Sequence, residues 1–483
     1  MGHVNRFTRR TFLRGAGAAA VAVPTFGSLL AARQASAEAA APPKRPNILF
    51  ALADDWSFPH AGVYGDKIVR TPAFDRIARE GVLFTNAYCA APSCTPSRAT
   101  MLTGQTFYRL GAGANLNAPL APEFKVYPDL LEAVGYHVGF TGKGWGPGDY
   151  KKAGRTRNPA GPSAPNFQEF LASVPEGKPF CFWFGSHEPH RGYEKGSGVA
   201  SGKRLEDVSV PPYLPDAPEV RSDILDYYVE VEQFDSQVAG LLAVLEEAGR
   251  LNDTLLVVTS DNGWPFPRAK TNLYDAGTRM PLAVRWPGRA KPGRTVTDFI
   301  GFHDFAPTFL EAAGVAIPPE MTGRSFLDIL VGGKDGRVDP KRDRVVTGRE
   351  RHATFLLGGK GSKLGYPMRA LRTDRHLYIR NFAPDRFPAG PPPKYIDIDG
   401  GPTKSYVVDR RDDPAVRPFF DLACAKRPPE ELYDLAKDPD QLTNVAGRPE
   451  YAETLKTMAD ALTVYLTETR DPRVVGGAEV FET

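Results

Sequence analysis

Apolar and polar positions alternate in blocks along the chain. Residues 47–55, NILFALADD, form a near-continuous apolar run ending in two acids, as expected of a strand covered on both faces. TPAFDRIAREG follows, with Pro near a helix start and Gly at its end. VLFTNAYC, PFCFWFGS, TLLVVTSDNG and PLAVRWPG repeat the strand pattern. Between the second and third of these, residues 222–249 place Ile224, Tyr228, Val231, Phe234, Val238, Leu241 and Leu245 on one helical face that leads into the strand at Leu255. Repeated βα units predict an α/β fold over residues 45–335, with a large, mostly parallel sheet sandwiched by helices. The texture changes after residue 340. MRALRTDRHLYIRNF predicts two strands joined at Thr373-Asp374, ELYDL a third, and residues 449–471 a closing amphipathic helix. Residues 340–483 therefore read as a smaller C-terminal α+β subdomain with an antiparallel sheet. The Pro-rich stretch from Pro384 to Pro402 reads as a variable surface excursion and not as a site.

With 42% hydrophobic and 24% charged residues among 483, disorder, collagen and coiled coil are excluded. Five of the 60 Lys and Arg (Arg6, Arg9, Arg10, Arg14 and Arg33) fall in the first 37 residues, which hold no acid, so the remainder carries 55 basic against 57 acidic residues. Nothing electrostatic then points to a nucleic-acid partner. TRRTFLR at 8–14, a short weakly apolar run and the small-residue site Ala35-Ser36-Ala37 describe a cleavable export signal over residues 1–37. The Arg9-Arg10 pair gives it the twin-arginine type, which predicts a periplasmic or secreted protein. No later stretch is long and apolar enough to span a bilayer, so stable membrane insertion is not expected. Cys181 and Cys89 lie in apolar runs, and no C-x-x-C or Cys/His ligand spacing occurs, which argues against disulfides and structural zinc.

Asp54-Asp55 and Asp261-Asn262 each stand where an apolar run ends. In open α/β sheets the carboxyl ends of the strands line the ligand crevice, so four oxygen donors two hundred residues apart can converge. Such a set suits a hard cation, Ca²⁺ or Mg²⁺. Each pair alone is equally readable as a helix cap or turn. Between them, CTPSRATMLTG at 94–104 puts Cys94 at the start of a short helix with Arg98 one turn on, where helix dipole and Arg98 favour a thiolate. Read from the residues, this is an anion site containing a nucleophile. A Cys-Arg phosphatase loop would want more glycine, and Pro96 removes an amide it would use.

The run C-x-P-S-R followed by A-x-x-L-T-G resembles the signature of the type I sulfatases, formylglycine-dependent enzymes of the alkaline phosphatase superfamily. GVYG, GYHVGFTGKG, the PH of SHEPHRGY, SDNGWPFPRAKTNLYDAGTRMPL, DFAPTFLEAAGV and ELYDLAKDPDQLTNVA extend the resemblance in family order over residues 46–447. It implies an alkaline phosphatase-like fold, with one divalent cation, Ca²⁺ before Mg²⁺, held by Asp54, Asp55, Asp261, Asn262 and residue 94. It further implies that Cys94 is oxidised to formylglycine, that Arg98 holds the aldehyde hydrate, that Lys143 and Lys270 grip sulfate and that His190 protonates the leaving group. The implied partners are a sulfated carbohydrate substrate and, during maturation, a formylglycine-generating enzyme and the twin-arginine translocon. PFPRAKTNLY and SHEPHR look most like the sulfamidase branch, which hydrolyses N-sulfoglucosamine of heparan-type chains. One departure stands out. Where family members carry a His two residues after Lys143, this chain has Trp145, either a sugar-stacking platform or a packed aromatic, and His187 and His60 are the candidates for the missing role. Arg191, Arg268 and Arg279 could meet uronate carboxylates or simply form ion pairs. The alternatives are a formylglycine-dependent phosphonate monoester or phosphodiester hydrolase and a non-catalytic glycan-binding relative. The presence of Cys94, Arg98, both Lys and the acid set weighs against the second.

Overall fold

The first apolar run becomes β1 (Asn47–Ala53), and every one of its residues is buried. In the computed structural model, which describes residues 45–353, 355–357, 360–362 and 364–482, β1 lies inside an eight-stranded sheet. The export signal expected over 1–37 lies outside the described residues. The companions of β1 are β2 (Val82–Tyr88), β3 (His137–Gly142), β4 (Phe180–Gly185), β5 (Thr254–Ser260), β6 (Arg279–Arg285), β7 (Arg294–Val296) and β8 (Ile300–Gly301). Their order is β3-β4-β1-β5-β6-β2-β7, with β8 also paired to β2. β1 is parallel to both β4 and β5, and β3 is parallel to β4. β6 runs antiparallel to β5 and β2, so the sheet is mostly parallel, as expected.

Alternate residues of a strand face opposite sides, and β1 shows why its whole run must be apolar. Ile48, Phe50 and Leu52 pack with Leu102, Phe305 and Phe309 on one face. Leu49, Ala51 and Ala53 pack with Ile224, Val231 and Phe234 on the other. The latter three belong to the helix Pro218–Glu247, which also buries Tyr228, Val238, Leu241 and Leu245 as the periodicity predicts. The helix Pro72–Glu80 opens on its Pro, where a missing N–H costs nothing, and is followed by Gly81.

A second sheet follows: β9 (Arg344–Arg349), then a hairpin of β10 (Phe355–Leu357) and β11 (Lys360–Ser362), then β12 (Met368–Thr373), β13 (His376–Asn381) and β14 (Glu430–Asp434). β9, β12, β13 and β14 form an antiparallel sheet in the order β14-β13-β12-β9. The closing helix, Ala452–Glu468, lays Met458, Leu462 and Leu466 against Leu371, Tyr378 and Leu432. β9 ties this sheet to the large one: the Gly348 N–H donates to the Ala90 carbonyl at 2.9 Å, and Arg349 Nη1 donates to the Thr271 carbonyl at 2.6 Å. The four Cys are buried and unpaired, and among the described residues no helix is long and apolar enough to cross a membrane.

Candidate active site

Parallel pairing of β1 with β5 aligns Ala53 with Ser260, so the residues that follow each strand emerge side by side. Asp55 adopts φ of 76°, a left-handed conformation that its short polar side chain tolerates, and its N–H donates to Asp261 Oδ1 at 3.1 Å. Asn262 Nδ2 donates to Asp55 Oδ1 at 2.6 Å. The two distant acid pairs thus converge at one end of the sheet.

Cys94 opens the wholly buried helix Cys94–Thr103, and its Sγ lies 3.6 Å from Asp54 Oδ1. Arg98, one turn on, is fully buried and braces the centre: Nε donates to Asp261 Oδ2 at 2.8 Å, Nη2 lies 3.5 Å from Asp54 Oδ1, and Nη1 donates to the Lys143 and Gly144 carbonyls at 2.7 and 3.1 Å. Lys143 follows β3 and sets Nζ 2.5 Å from Asp54 Oδ2. Its backbone needs Gly185 beside it, because a Cβ there would sit 1.7 Å from the Lys143 carbonyl oxygen. Lys270 Nζ reaches Asp55 Oδ2 at 2.7 Å and Asp399 Oδ2 at 2.9 Å. His190 lies at the margin, with Nε2 3.9 Å from Asp55 Oδ2 and Nδ1 2.6 Å from the Arg191 carbonyl oxygen.

These contacts set the charges. Burial alone would raise Asp54, but Lys143 and Arg98 outweigh it and hold the carboxyl far below the usual range. Burial pushes Asp55 up to about 6 although Lys270 and His190 pull it back, so it is ionised at neutral pH. Burial opposes the Lys270 charge, yet Asp399 and Asp55 keep it protonated. The thiolate favoured by sequence reasoning does not hold: burial raises the Cys94 thiol well above its ordinary value, Lys143 only partly offsets this, and Asp54 pushes it further. The dipole of a short helix and a guanidinium already engaged by Asp261 are too weak against complete desolvation.

Ligand atoms of Asp54, Asp55 and Cys94 lie within 4.8 Å of one another. Asn262 Oδ1 is buried with no hydrogen-bond partner among the described residues, an orphan acceptor that a cation would satisfy. This group can hold a metal ion, and its oxygen donors suit a hard cation. Asp261 does not join the group: Oδ1 accepts from the Asp55 and Asn262 N–H groups, and Oδ2 from Arg98.

Other expectations resolve differently. Trp145 is buried in the core, so it is a packed aromatic and not a sugar platform. His60 is held by Asp66 at 3.3 Å and Tyr228 Oη at 3.2 Å within an aromatic cage, and His187 is exposed. Arg191 grips Asp223 through both Nη atoms at 2.7 and 2.8 Å. Arg268 donates to the Leu422 and Gln441 carbonyls, while Arg279 donates to the Thr85 carbonyl and lies over Phe58. The structure adds two residues that sequence reasoning missed. His352 is buried with Nδ1 2.9 Å from Ser93 Oγ, next to Cys94, and burial together with Lys270 lowers its pKa to about 3. Asp399 comes from the stretch 384–402, which is not a mere surface excursion. Its signal in the sequence is the pair Asp397 and Asp399 ahead of Gly400-Gly401, which the surrounding prolines obscure.

Known proteins share this organisation. The sulfatase family model matches residues 46–160 and 160–315. Human N-sulphoglucosamine sulphohydrolase is 30% identical over 487 residues, covering 90% of this chain and 93% of its own. An ulvan-active sulfatase of Formosa agariphila is 30% identical over 424 residues, covering 84% and 77%. Among solved structures, BT4656 in complex with its substrate D-glucosamine-2-N,6-O-disulfate superposes with a TM-score of 0.64 at 21% identity over 89% of this chain and 99% of that one, a likeness of fold. With the family model spanning more than half its length and a named relative aligned nearly end to end, the chain belongs to the sulfatase family.

Proposed function

We propose that the protein is an exported sulfatase of glycosaminoglycan-type substrates. It acts on N-sulfoglucosamine of heparan type through a formylglycine made from Cys94. The observation that carries this reading is the seat of Cys94: a buried thiol, unsuited to act as a thiolate, set against Asp54 and ringed by Arg98, Lys143 and Lys270. Such a thiol is better placed as the precursor of another nucleophile. A formylglycine-generating enzyme oxidises it to the aldehyde before twin-arginine export, and hydration gives two hydroxyls. One attacks sulfur as the bond from sulfur to the leaving group breaks. The other loses its proton as the aldehyde re-forms and sulfate departs.

Lys143 and Lys270 hold sulfate oxygens, and Arg98, with no freedom to move, orients the hydrate. Held by Asp54, Asp55, Asn262 and residue 94, a divalent cation, Ca²⁺ before Mg²⁺, would supply further positive charge where the sulfate oxygens gather it. His190 keeps its Nδ1–H on the Arg191 carbonyl and turns Nε2 toward the centre, so that the imidazolium form, with a hydrogen on each nitrogen, gives its Nε2 proton to the departing nitrogen. The human relative named for N-sulphoglucosamine supports the choice of substrate.

The test is sulfate release by purified, modified enzyme from N-sulfoglucosamine and from glucosamine 6-sulfate, with an aryl phosphodiester as the third substrate. Preference for the N-sulfate is expected. Preference for the 6-sulfate would refute the sulfamidase reading and retain the sulfatase one, and preference for the phosphodiester would refute both.

A further inference from the structure

Exposure is graded across the centre. Cys94, Asp55 and Lys270 are 2%, 0% and 4% exposed, whereas the side chains of His190 and Asp399 are 37% and 23% exposed. Sulfate drawn toward Cys94 must therefore leave its organic part pointing out past these two. Ligand atoms of Asp399, His190 and Asp55 lie within 4.8 Å of one another, so Asp399 and His190 share the exit.

Asp399 is held there firmly. Its neighbour Asp397 is buried, ion-paired to Arg349, and accepts from the Ala353 N–H at 2.9 Å. The Thr271 hydroxyl donates to the Asp397 carbonyl at 3.1 Å, and Lys404 Nζ donates to the Ile398 carbonyl at 2.7 Å. Lys270 Nζ engages Asp399 through Oδ2, and an ionised carboxylate has about four acceptor sites. A carboxylate at the mouth of a site for anions repels every sulfate that approaches, unless the substrate brings a hydrogen-bond donor to it.

We infer that Asp399 is a specificity residue that reads the atom bridging sulfur and sugar, accepting the N–H of a sulfamate and disfavouring the bare oxygen of a sulfate ester. The inference rests on the sulfamidase reading and extends it. A sulfamate nitrogen carries one hydrogen and an ester oxygen carries none, so an acceptor-only side chain bonds the first and faces the lone pairs of the second. The contrast grows as the bond breaks. The departing amine takes a proton from His190 and then a second from water to become an ammonium, which the carboxylate attracts, whereas a departing alcohol stays neutral. A site built to bond a donor rejects the analogue that lacks it by large factors, because its polar group is left unpaired.

The experiment compares kcat/KM for N-sulfoglucosamine with kcat/KM for 4-nitrophenyl sulfate in the modified holoenzyme and in Asp399→Asn. Effects on folding or on Lys270 lower both rates and cancel in the ratio. A fall of at least tenfold in the N-sulfate to aryl sulfate ratio is expected, with part of the preference kept by Asp399→Glu. Equal losses on both substrates would overturn the inference. In the unsubstituted enzyme, glucosamine should inhibit aryl sulfate hydrolysis at least tenfold more strongly than glucose, and equal inhibition by the two would also overturn it. Failure of the sulfamidase reading looks different: no sulfate from N-sulfoglucosamine while aryl sulfate is hydrolysed. The glucosamine and glucose arm then decides the role of Asp399 by itself.

Discussion

Arg98→Met tests how the centre is held together. Met keeps much of the buried stem and removes only the guanidinium. Asp54 retains Lys143 at 2.5 Å, and the Lys143 carbonyl retains the Trp183 indole N–H at 3.1 Å. Asp261 is the loser: it keeps two backbone N–H donors on Oδ1 but loses its countercharge at 2.8 Å, and the Gly144 carbonyl loses its donor. Removing one partner of a buried ion pair costs about 3–5 kcal/mol. An orphaned carbonyl adds roughly 1 kcal/mol. A loss of about 4–6 kcal/mol is therefore expected, a large share of the roughly 5–15 kcal/mol that stabilises a folded protein. Urea unfolding followed by tryptophan fluorescence at pH 7.5, in chelator, reads the effect. A loss below about 1 kcal/mol would show that the guanidinium does not brace the centre.

Cys94→Ala should abolish sulfate release while circular dichroism stays near that of the parent; retention of even a tenth of the activity would exclude the proposed nucleophile. Gly185→Ala drives a methyl group into the Lys143 carbonyl and should displace Lys143 from the centre, so a fall in kcat larger than any rise in KM is expected, and unchanged kinetics would show that Lys143 is not in the machinery. Asp55 has a folded-state pKa of about 6 against an ordinary value of 3.8, so its contribution to stability is fully present below about pH 4 and is lost as pH rises through 6, up to about 3 kcal/mol in chelator. Asp55→Asn should remove that slope from thermal melts and also remove stabilisation by added Ca²⁺; a parallel pH profile that still responds to Ca²⁺ would contradict the assignment.

Much of this molecule is legible in its sequence, for identifiable reasons. β1 and β5 are buried on both faces, and only an uninterrupted apolar run can satisfy such a strand, so the acids that end those runs mark the carboxyl edge directly. The face of the helix Pro218–Glu247 follows from its period for the same reason. What escapes is whatever tertiary packing decides. Trp145 reads as a possible platform until the core closes over it, and Arg191, Arg268 and Arg279 look available until their hydrogen bonds are seen to be taken by Asp223 and by backbone carbonyls. Asp399 and His352 lie outside every recognisable run, because their place beside Lys270 and Ser93 depends on how the small sheet docks through Arg349. The chemistry of Cys94 is misread for a related reason: spacing reports the helix start and Arg98 but not the desolvation that outweighs both.

Whether Cys94 becomes the proposed aldehyde is decided by the mass of the peptide bearing residue 94 in a preparation that releases sulfate. An aldehyde in place of the thiol is expected, in a fraction of molecules that tracks specific activity. An active preparation whose Cys94 is wholly thiol would exclude formylglycine as the nucleophile.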